Sequence, residues 1–520
     1  MTTGPRTGRA ARFPRAAIAT PHHLASAAGA AVLADGGNAV DAILAANLAL
    51  GVVAPYLCGY GGDVFAIVWD GRLHGYLGSG RSGVGATPER LRSAGHTTMP
   101  TLGGPTVTVP GAVRGWFDLL ERWGTRSFAG LAATAHRFAS EGFPLTETGA
   151  ATIAAAGSLY PGVASWSRAY GDRRAGDTLR QPALAALIAR LGEDGADAYY
   201  RGAVADAIAG SVEAAGGHLT AADLAAHRGA WVDPIVAEFR GHGIAELPPP
   251  TQGVAALEML RILDGFDLAS MDTDARQHLM VEAVKLGLAD RQAHLSDPAH
   301  MRIDPRALLD DAYVASRRSS IDPERAGDPV PGSPQVGGTA YLCAADGDGL
   351  CVSLIQSNFL AFGSGVRVEE WGINLTNRGA SFSLDPTSVN VLAGGKFPLH
   401  TLIPAMVLRD GTPTHLVGTM GADAQAQVHV QVLERMLGGG EDPQRAVDAP
   451  RWRVEVAARP VRHETRFAAE ILGGLARRGH ELLATSDWDM GMGHAHVIAR
   501  EPGGYAAATD PRAEGAALGW

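Results

Sequence analysis

Residue 339 separates two stretches of the chain whose secondary-structure patterns differ. Residues 326–336, just before it, are dense in glycine and proline, and the segments further upstream are mostly of helical period. After Gly337 and Gly338, Thr339 opens a strand-like run that reaches Asp346, and a second strand over 350–357 follows a Gly-Asp-Gly turn. Strands that share a core with helices outside them favour a layered α/β sandwich.

The periodicity of the chain predicts further elements on both sides of residue 339, and no composition break defines independent domains. Helices are predicted over 24–35, 39–53, 181–191, 203–215, 221–226, 277–295 and 425–436. Strands are predicted over 64–69 and 241–247, and hairpins at 340–357, 402–418 and 494–508. The stretch 326–336 is interpreted as an exposed linker.

Charge and hydropathy exclude some partners. The net charge of −10 and the lack of a long basic run argue against nucleic acid. The most apolar stretch, residues 42–55, is too short to span a bilayer and predicts a buried helix, so no membrane partner is expected. Residues 6–15 carry four arginines with no apolar segment after them, which favours a frayed, solvated tail over a secretory signal.

Cysteine and histidine usage bears on compartment and cofactors. Three cysteines, Cys58, Cys343 and Cys351, argue against a disulfide framework and for a reducing, cytoplasmic location. No Cys/His spacing is typical of a zinc site, so neither a metal nor another cofactor is expected.

Thr339 can combine a nucleophile and a base in one residue. If the backbone breaks before it, a free α-amine with a pKa of about 7.7–8 lies beside its hydroxyl and can take the hydroxyl proton. In the uncut chain the same hydroxyl would attack the carbonyl of Gly338, and the glycines permit the backbone angles that this attack needs. The alternative interpretation is a β-branched residue that simply begins a strand.

Ser357 is expected beside Thr339. A hairpin centred on Gly347 pairs Thr339 with Ile355, and Ser357 then lies one step diagonal on the same face because side chains alternate along a strand. A second hydroxyl would thus accompany the nucleophile. The alternative is an ordinary polar residue at a strand end.

Ten segments follow one another in a characteristic order across nearly the whole chain. They are residues 25–41, with the string Asp-Gly-Gly-Asn-Ala-Val-Asp, then 59–65, 109–113, 248–253, 278–290, 339–365, 398–404, 418–422, 446–451 and 510–512. This set resembles the γ-glutamyltranspeptidase family of N-terminal-nucleophile hydrolases. The resemblance implies an α+β fold, the four-layer αββα sandwich. It also implies self-cleavage between Gly338 and Thr339 into a large fragment, 1–338, and a small fragment, 339–520, which stay together as one globular unit.

The resemblance also implies roles for individual residues. Ser357 stands where the family has a threonine that is hydrogen-bonded to the nucleophile. Gly421 and Ala422 match the amide pair of the oxyanion hole, unless they form only a strand-to-helix turn. Arg81 matches the arginine that grips a substrate α-carboxylate, unless it is a surface arginine.

His400 and Thr401 stand where the family has two serines that contact the same carboxylate. His400 does not match these serines, whereas Thr401 keeps a hydroxyl.

Departures from the family pattern point to the substrate. Ser381 replaces the acid that binds the glutamyl α-amine, and Arg378 falls where a further amine contact is usual. Phe359 replaces a polar residue beside Asn358, itself a candidate for substrate binding. Two arginines without a carboxylate favour an anionic substrate that lacks a free α-amine. Residues 356–359 and 377–383 resemble a branch that includes oxamate-type amidohydrolases and transpeptidase-like proteins.

These features predict a self-processing amidohydrolase or acyltransferase. It would cleave an amide of a small anionic substrate through a threonyl acyl-enzyme, with hydrolysis favoured over transfer. Other enzymatic possibilities are γ-glutamyl hydrolysis or transfer on glutathione-like substrates, a β-lactam side-chain acylase, and a biosynthetic hydrolase. A catalytically silent binding homologue is the rival from another class. The expected partners are the small amide substrate and the two fragments of one precursor, with a homo-oligomer left open.

Overall fold

The computed structural model describes residues 8–328, 338–455 and 458–520. The predicted linker at 326–336 lies outside the described residues from residue 329 onward, as do Gly337 and residues 6 and 7 of the predicted N-terminal tail.

The described strands are numbered in chain order. They are β1 (Ala11–Phe13), β2 (Ala17–Thr20), β3 (Asp63–Trp69), β4 (Leu73–Gly78), β5 (Phe143–Pro144), β6 (Thr178–Leu179), β7 (Ala230–Val232), β8 (Ile235–Phe239), β9 (His242–Glu246), β10 (Gly338–Ala345), β11 (Cys351–Phe359), β12 (Arg367–Val368), β13 (Ile373–Asn374), β14 (Ala405–Arg409), β15 (Thr412–Thr419), β16 (Trp452–Glu455), β17 (Ala458–Glu464), β18 (Leu482–Thr485), β19 (Ala495–Glu501), β20 (Gly504–Thr509) and β21 (Ala516–Gly519).

The described helices are numbered in the same way. They are α1 (His23–Ala34), α2 (Ala39–Val53), α3 (Pro88–Ser93), α4 (Ala112–Trp123), α5 (Phe128–Glu141), α6 (Glu147–Ala156), α7 (Ala164–Tyr170), α8 (Pro182–Asp194), α9 (Asp197–Tyr200), α10 (Ala203–Ala214), α11 (Ala221–Ala226), α12 (Gly253–Asp264), α13 (Thr273–His294), α14 (Asp311–Ser319), α15 (Ala424–Leu433), α16 (Pro443–Asp448) and α17 (Ala469–Arg477).

Two large sheets form the centre of the molecule. The first has the strand order β21-β2-β10-β11-β3-β4-β7 and the second β1-β20-β19-β15-β14-β9-β8. Their strand pairs are antiparallel. Both sheets contain strands from before and from after Thr339, so neither part of the chain completes a sheet alone.

The side chains of these strands alternate between two kinds of environment. Along β10, Tyr341 and Cys343 pack between the sheets against residues such as Met406 of β14, whereas Leu342 and Ala344 pack on the helices outside. Helices α1, α2 and α4 pack on the first sheet, and α12, α15 and α16 pack on the second. The predicted four-layer αββα sandwich is therefore confirmed.

Helix α2 shows how local sequence sets an element. The Asn38 side chain accepts a hydrogen bond from the Asp41 amide at 2.9 Å, and the Asp41 carboxylate accepts one from the Asn38 amide at 3.1 Å. This capping box fixes where the helix begins. Every residue of α2 is buried, as its continuous apolar sequence predicts. No helix in the described part of the chain has both the length and the apolar character needed to cross a bilayer.

The N-terminal segment differs from its prediction. Residues 11–13 form an edge strand on β20 instead of a frayed tail. Arg12 explains this, because its guanidinium lies 2.9 Å from the Glu501 carboxylate and 3.3 Å from that of Asp442. The Ala10 amide also donates to Asp442. These partners come from distant parts of the chain, so local periodicity does not reveal them.

Candidate active site

The β10–β11 hairpin is centred on Asp348, not on Gly347. Tyr341 pairs with Ile355, and Ala345 with Cys351, and a bulge lies between Gly338 and Ala340. The physical reason is Asp346, whose carboxylate accepts the amides of Asp348 at 3.0 Å and Leu350 at 3.1 Å and holds a wider loop than a tight Gly-Asp-Gly turn. Continued through the bulge, this register puts residues 339 and 357 opposite each other.

Thr339 and Ser357 are brought together as predicted, although by direct and not diagonal pairing. The Thr339 hydroxyl donates to the Ser357 hydroxyl, with 3.2 Å between Oγ1 and Oγ. The Phe359 amide also donates to Ser357 Oγ, at 2.7 Å. Both hydroxyl residues are buried. The pair lies between the two sheets, at the end where β10 begins.

Asp63 extends this row of polar side chains to a third strand. It pairs with Ser357 across β3 and β11, so its side chain shares the interlayer face. It is completely buried. The Gly111 amide donates to Oδ1 at 3.3 Å, and Oδ2 lies 3.4 Å from His400 Nε2. Burial raises the pKa of Asp63 to about 7, although the charge of Arg378 opposes the rise.

Sequence reasoning missed Asp63. The one available signal is an acidic residue at the start of the apolar run Asp63–Trp69, directly after two glycines. Burying an unpaired carboxylate in such a strand costs free energy, so its presence there indicates a functional role.

His400 lies behind Asp63 and not on a substrate-facing wall. It is fully buried, and its ring centroid is 4.7 Å from that of Phe65. Burial, with a contribution from Arg378, holds its pKa well below the ordinary value for histidine. The imidazole is therefore neutral at physiological pH.

Arg378 is a buried guanidinium with free hydrogen-bonding capacity. Its Nη1 donates to Thr401 Oγ1 at 3.1 Å, and the guanidinium carbon lies 4.1 Å from the ring centroid of Phe359. Its Nε and Nη2 have no hydrogen-bond partner among the described residues. Burial lowers its pKa to about 10, against the charges of Asp63 and Asp423, so it still carries its charge at neutral pH.

A cavity of about 510 Å³ opens next to these residues. Phe359, Ser381 and Thr401 contribute to its wall, together with Arg291 and Asp423, which sequence reasoning did not single out. Phe359 is also the cross-strand partner of Gly338. The cavity therefore reaches the segment that carries the nucleophile candidate.

The turn Met420–Asp423 approaches the same region from the second sheet. Gly421 has φ +133° and Ala422 has φ +50°, both in the region that favours glycine. Gln252 fixes this turn, since its Nε2 donates to the carbonyls of Ala422 at 3.1 Å and Thr401 at 3.0 Å. Arg291 donates to the Gln252 side chain at 2.7 Å.

A buried ion network supports this turn from behind. Asp510 accepts from Arg451 at 2.7 Å and from Arg512 at 3.0 Å, and Arg512 also binds Glu464 at 2.6 Å. Arg451 donates in addition to the carbonyl of Gly493. A Cβ added at Gly421 would come within 3.6 Å of the Gly493 Cα, so the network reaches the Gly421 turn through Gly493.

Three residues predicted to bind substrate lie away from the cavity or form hydrogen bonds within the protein. Arg81 is half exposed and outside the cavity wall, and its guanidinium contacts the Asp297 carboxylate at 3.4 Å and the Gly395 carbonyl at 2.8 Å. The Asn358 side chain lies on the opposite sheet face, against Gly59 and Gly62. Ser381 lines the cavity, with its hydroxyl 2.9 Å from the Arg378 carbonyl.

One group of possible metal ligands lies away from this site. His278, Glu282 and His480 place ligand atoms within 4.8 Å of one another, a cluster that sequence spacing did not reveal. The Asp322 carbonyl can only accept, so His278 Nε2 donates to it and His278 Nδ1 accepts from His480 Nε2 at 2.7 Å. Lys285 donates to Glu282 at 2.7 Å. The ligand atoms that face one another in this cluster therefore take part in hydrogen bonds.

Comparison with known proteins gives one consistent result. The model of the gamma-glutamyltranspeptidase family matches residues 25–520. The chain is 36% identical over 519 residues to the oxamate amidohydrolase proenzyme of Klebsiella pneumoniae, covering 96% of this chain and 97% of that protein. It is 35% identical over 524 residues to the glutathione hydrolase-like YwrD proenzyme of Bacillus subtilis, covering 96% and 98%. The crystal structure of cephalosporin acylase from Bacillus halodurans superposes with a TM-score of 0.95 at 37% identity, covering 100% and 98%.

Proposed function

Because the chain belongs to the gamma-glutamyltranspeptidase family, we propose that it is a self-processing amidohydrolase that hydrolyses an amide of a small anionic substrate through a threonyl acyl-enzyme. The observation that carries the proposal is that Phe359, which lines the cavity, contacts both the buried Thr339–Ser357 hydroxyl pair, through its amide, and the Arg378 guanidinium, through its ring. A nucleophile and an anion-binding group in one recess are what such a reaction needs.

The proposed precursor cuts itself between Gly338 and Thr339. Fragments 1–338 and 339–520 stay together because each of the two sheets contains strands from both. The new α-amine of Thr339 then takes the proton of its own hydroxyl, and Ser357 orients that hydroxyl through the 3.2 Å hydrogen bond. The cut thereby creates the base on which turnover depends.

In turnover, Thr339 Oγ1 attacks the substrate carbonyl carbon. The amides of Gly421 and Ala422 stabilise the oxyanion, and Gln252 keeps their turn in place. The amine leaves with a proton from the Thr339 α-ammonium, and an ester on Thr339 remains. Water then attacks this ester as the α-amine takes a proton from it. The C–Oγ1 bond breaks while the α-ammonium gives that proton to Oγ1, which releases the acid and restores the hydroxyl.

Arg378 supplies the recognition of the substrate anion. Its Nε and Nη2 can donate to a carboxylate, and its charge disfavours an ammonium in the same place. Oxamate, the substrate named for the Klebsiella relative, carries a carboxylate next to its amide and no amine that takes up a proton. The monoamide of a small dicarboxylic acid is therefore the substrate class that we favour, with hydrolysis over transfer.

Thr339→Ala tests the nucleophile. We expect wild-type protein to run as two bands on denaturing electrophoresis, with mass spectrometry placing the new N-terminus at Thr339. The variant should stay uncut and inactive, because it lacks the hydroxyl for both reactions. Cleavage that survives the substitution would place the nucleophile elsewhere.

A substrate panel separates the possible activities. Oxamate, a glutaryl amide, glutathione and a γ-glutamyl anilide are assayed side by side with cut enzyme, with and without an acceptor amine. Preference for glutathione and the γ-glutamyl anilide would favour the glutathione hydrolase activity named for several relatives and contradict the role given to Arg378. A chain that is never cut and binds without turnover would favour a silent binding protein.

A further inference from the structure

The first step of the proposed reaction lacks the base that the later steps use. In the uncut chain the nitrogen of Thr339 belongs to the peptide bond with Gly338, and an amide nitrogen does not accept a proton. Some other group must take the Thr339 hydroxyl proton as Oγ1 attacks the Gly338 carbonyl. A carboxylate or another base near this hydroxyl can take the proton.

The polar row on the interlayer face contains such a group. Thr339 donates to Ser357 at 3.2 Å, and Ser357 is the cross-strand partner of Asp63. Directly opposed residues have Cβ atoms about 4.5–5.5 Å apart, a gap that one water can bridge between a hydroxyl and a carboxylate. All three side chains are buried. Asp63 Oδ2 has no hydrogen-bond partner among the described residues.

The surroundings of Asp63 allow it to hold a proton near neutral pH. Arg378 favours the carboxylate, and the amides of Gly111 and Gly80 donate to it, while complete burial disfavours the charge and raises the pKa to about 7. His400 faces it as a neutral imidazole. The phenols of Tyr199 and Tyr200 on α9, whose pKa values burial raises, stay neutral as well.

We propose that Asp63 receives the Thr339 hydroxyl proton through the Ser357 hydroxyl during self-cleavage of the uncut chain. The inference rests on the proposed function, because it concerns the cut before Thr339. Asp63 acts through Ser357 and is in this sense a proton-relay residue that does not touch the reacting atoms.

The step balances in atoms and charge. The Oγ1–C bond to the Gly338 carbonyl forms as Thr339 gives its proton to Ser357 and Ser357 gives its own to Asp63. The C–N bond then breaks, and the leaving nitrogen receives the proton back along the same path. An ester between Gly338 and the Thr339 hydroxyl results, with a free α-amine. Water hydrolyses this ester to the Gly338 carboxylate and the Thr339 hydroxyl.

The relay is needed once in the life of the protein. After the cut, the α-amine is bonded to the same residue as the hydroxyl and takes over proton transfer. Loss of Asp63 should therefore slow self-cleavage far more than turnover.

Asp63→Asn tests the relay, because the amide keeps the shape but accepts no proton. Wild-type and variant precursors are labelled by cell-free translation, and cleavage is followed by electrophoresis from about pH 5 to about pH 9. The wild-type rate should rise as Asp63 ionises, with an inflection at about pH 7. The variant should cleave at least about 100-fold more slowly at pH 8 and show no such inflection.

Asp348→Asn is the matched control, since Asp348 is an exposed carboxylate at the turn of the same hairpin. It should cleave like wild type. Once the slow Asp63→Asn precursor has been cut, its turnover of the best substrate should lie within about tenfold of wild type.

Several results would overturn the inference. Wild-type cleavage that does not change between pH 6 and 8 would do so without any variant, even if Asp63→Asn fails to fold. Slow cleavage of the variant with the wild-type pH profile would indicate a structural role for Asp63. If wild type is not cut before Thr339 at all, the proposed function fails first, so the two failures are distinguishable.

Discussion

Arg378→Met separates substrate recognition from folding, because the expected loss of catalysis is much larger than the expected change in stability. Methionine is long enough to fill much of the space beside Phe359 and Thr401 but carries no charge or donor. The buried guanidinium has two nitrogens without partners among the described residues. The substitution removes both donors from beside Phe359 and Thr401, which line the cavity.

The cost to catalysis follows from these two donors. A hydrogen bond from a charged group contributes about 1.5–3 kcal/mol, so losing two costs about 3–6 kcal/mol. We therefore expect kcat/KM for an anionic amide to fall by about 10²–10⁴.

The effect on stability is expected to be small. Burial lowers the Arg378 pKa to about 10, a shift that corresponds to about 3 kcal/mol of free energy against the charged form in the folded protein. Loss of the Thr401 hydrogen bond and the Phe359 ring contact costs about 1 and 1–2 kcal/mol. These contributions nearly cancel, so the free energy of unfolding should change by less than about 2 kcal/mol.

The assay compares oxamate with oxamide, its uncharged analogue, on cut enzyme. Arg378→Met should lose activity on oxamate and change little on oxamide. Arg92→Met is the control, because Arg92 lines the same cavity but is 45% exposed, and it should cost less than about fivefold. Unchanged kcat/KM for oxamate in the Arg378 variant would refute the assignment of the anion site.

Two further substitutions test the support of the Gly421 turn. Asp510→Asn leaves Arg451 and Arg512 buried with less negative charge, so we expect a loss of about 3–5 kcal/mol in denaturant unfolding at pH 7. The two arginines hold the Asp510 pKa well below its usual range, so this difference should persist above pH 4 and shrink only on stronger acidification; no difference at pH 7 would contradict it. Ala422→Gly should raise stability by about 1 kcal/mol and keep kcat, because glycine adopts φ +50° without strain and the amide is retained; a loss of activity would give the methyl group a role.

Regular elements followed from sequence periodicity. The hairpins at residues 340–357, 402–418 and 494–508 and the helix at 39–53 are present, because alternation and helical spacing are local properties. The family resemblance, which the match over residues 25–520 confirms, predicted the αββα sandwich and which segments contribute to the site.

The remaining features depend on contacts between distant residues. The hairpin register depends on one side chain, Asp346, whose hydrogen bonds widen the loop. Arg81 is engaged by Asp297, which lies far along the chain. Asp63 can be recognised as a candidate only when strand pairing places it beside Ser357, because the sequence alone does not distinguish it from the other acidic residues.

The proposed mechanism requires that Thr339 Oγ1 carries the acyl group during turnover. Cut enzyme is quenched in acid during turnover of its best substrate, digested and measured by mass spectrometry. We expect the acyl mass on the peptide that begins at Thr339, located on that residue by fragmentation. Acyl groups on any other residue, or turnover by a chain that remains uncut, would contradict the central claim.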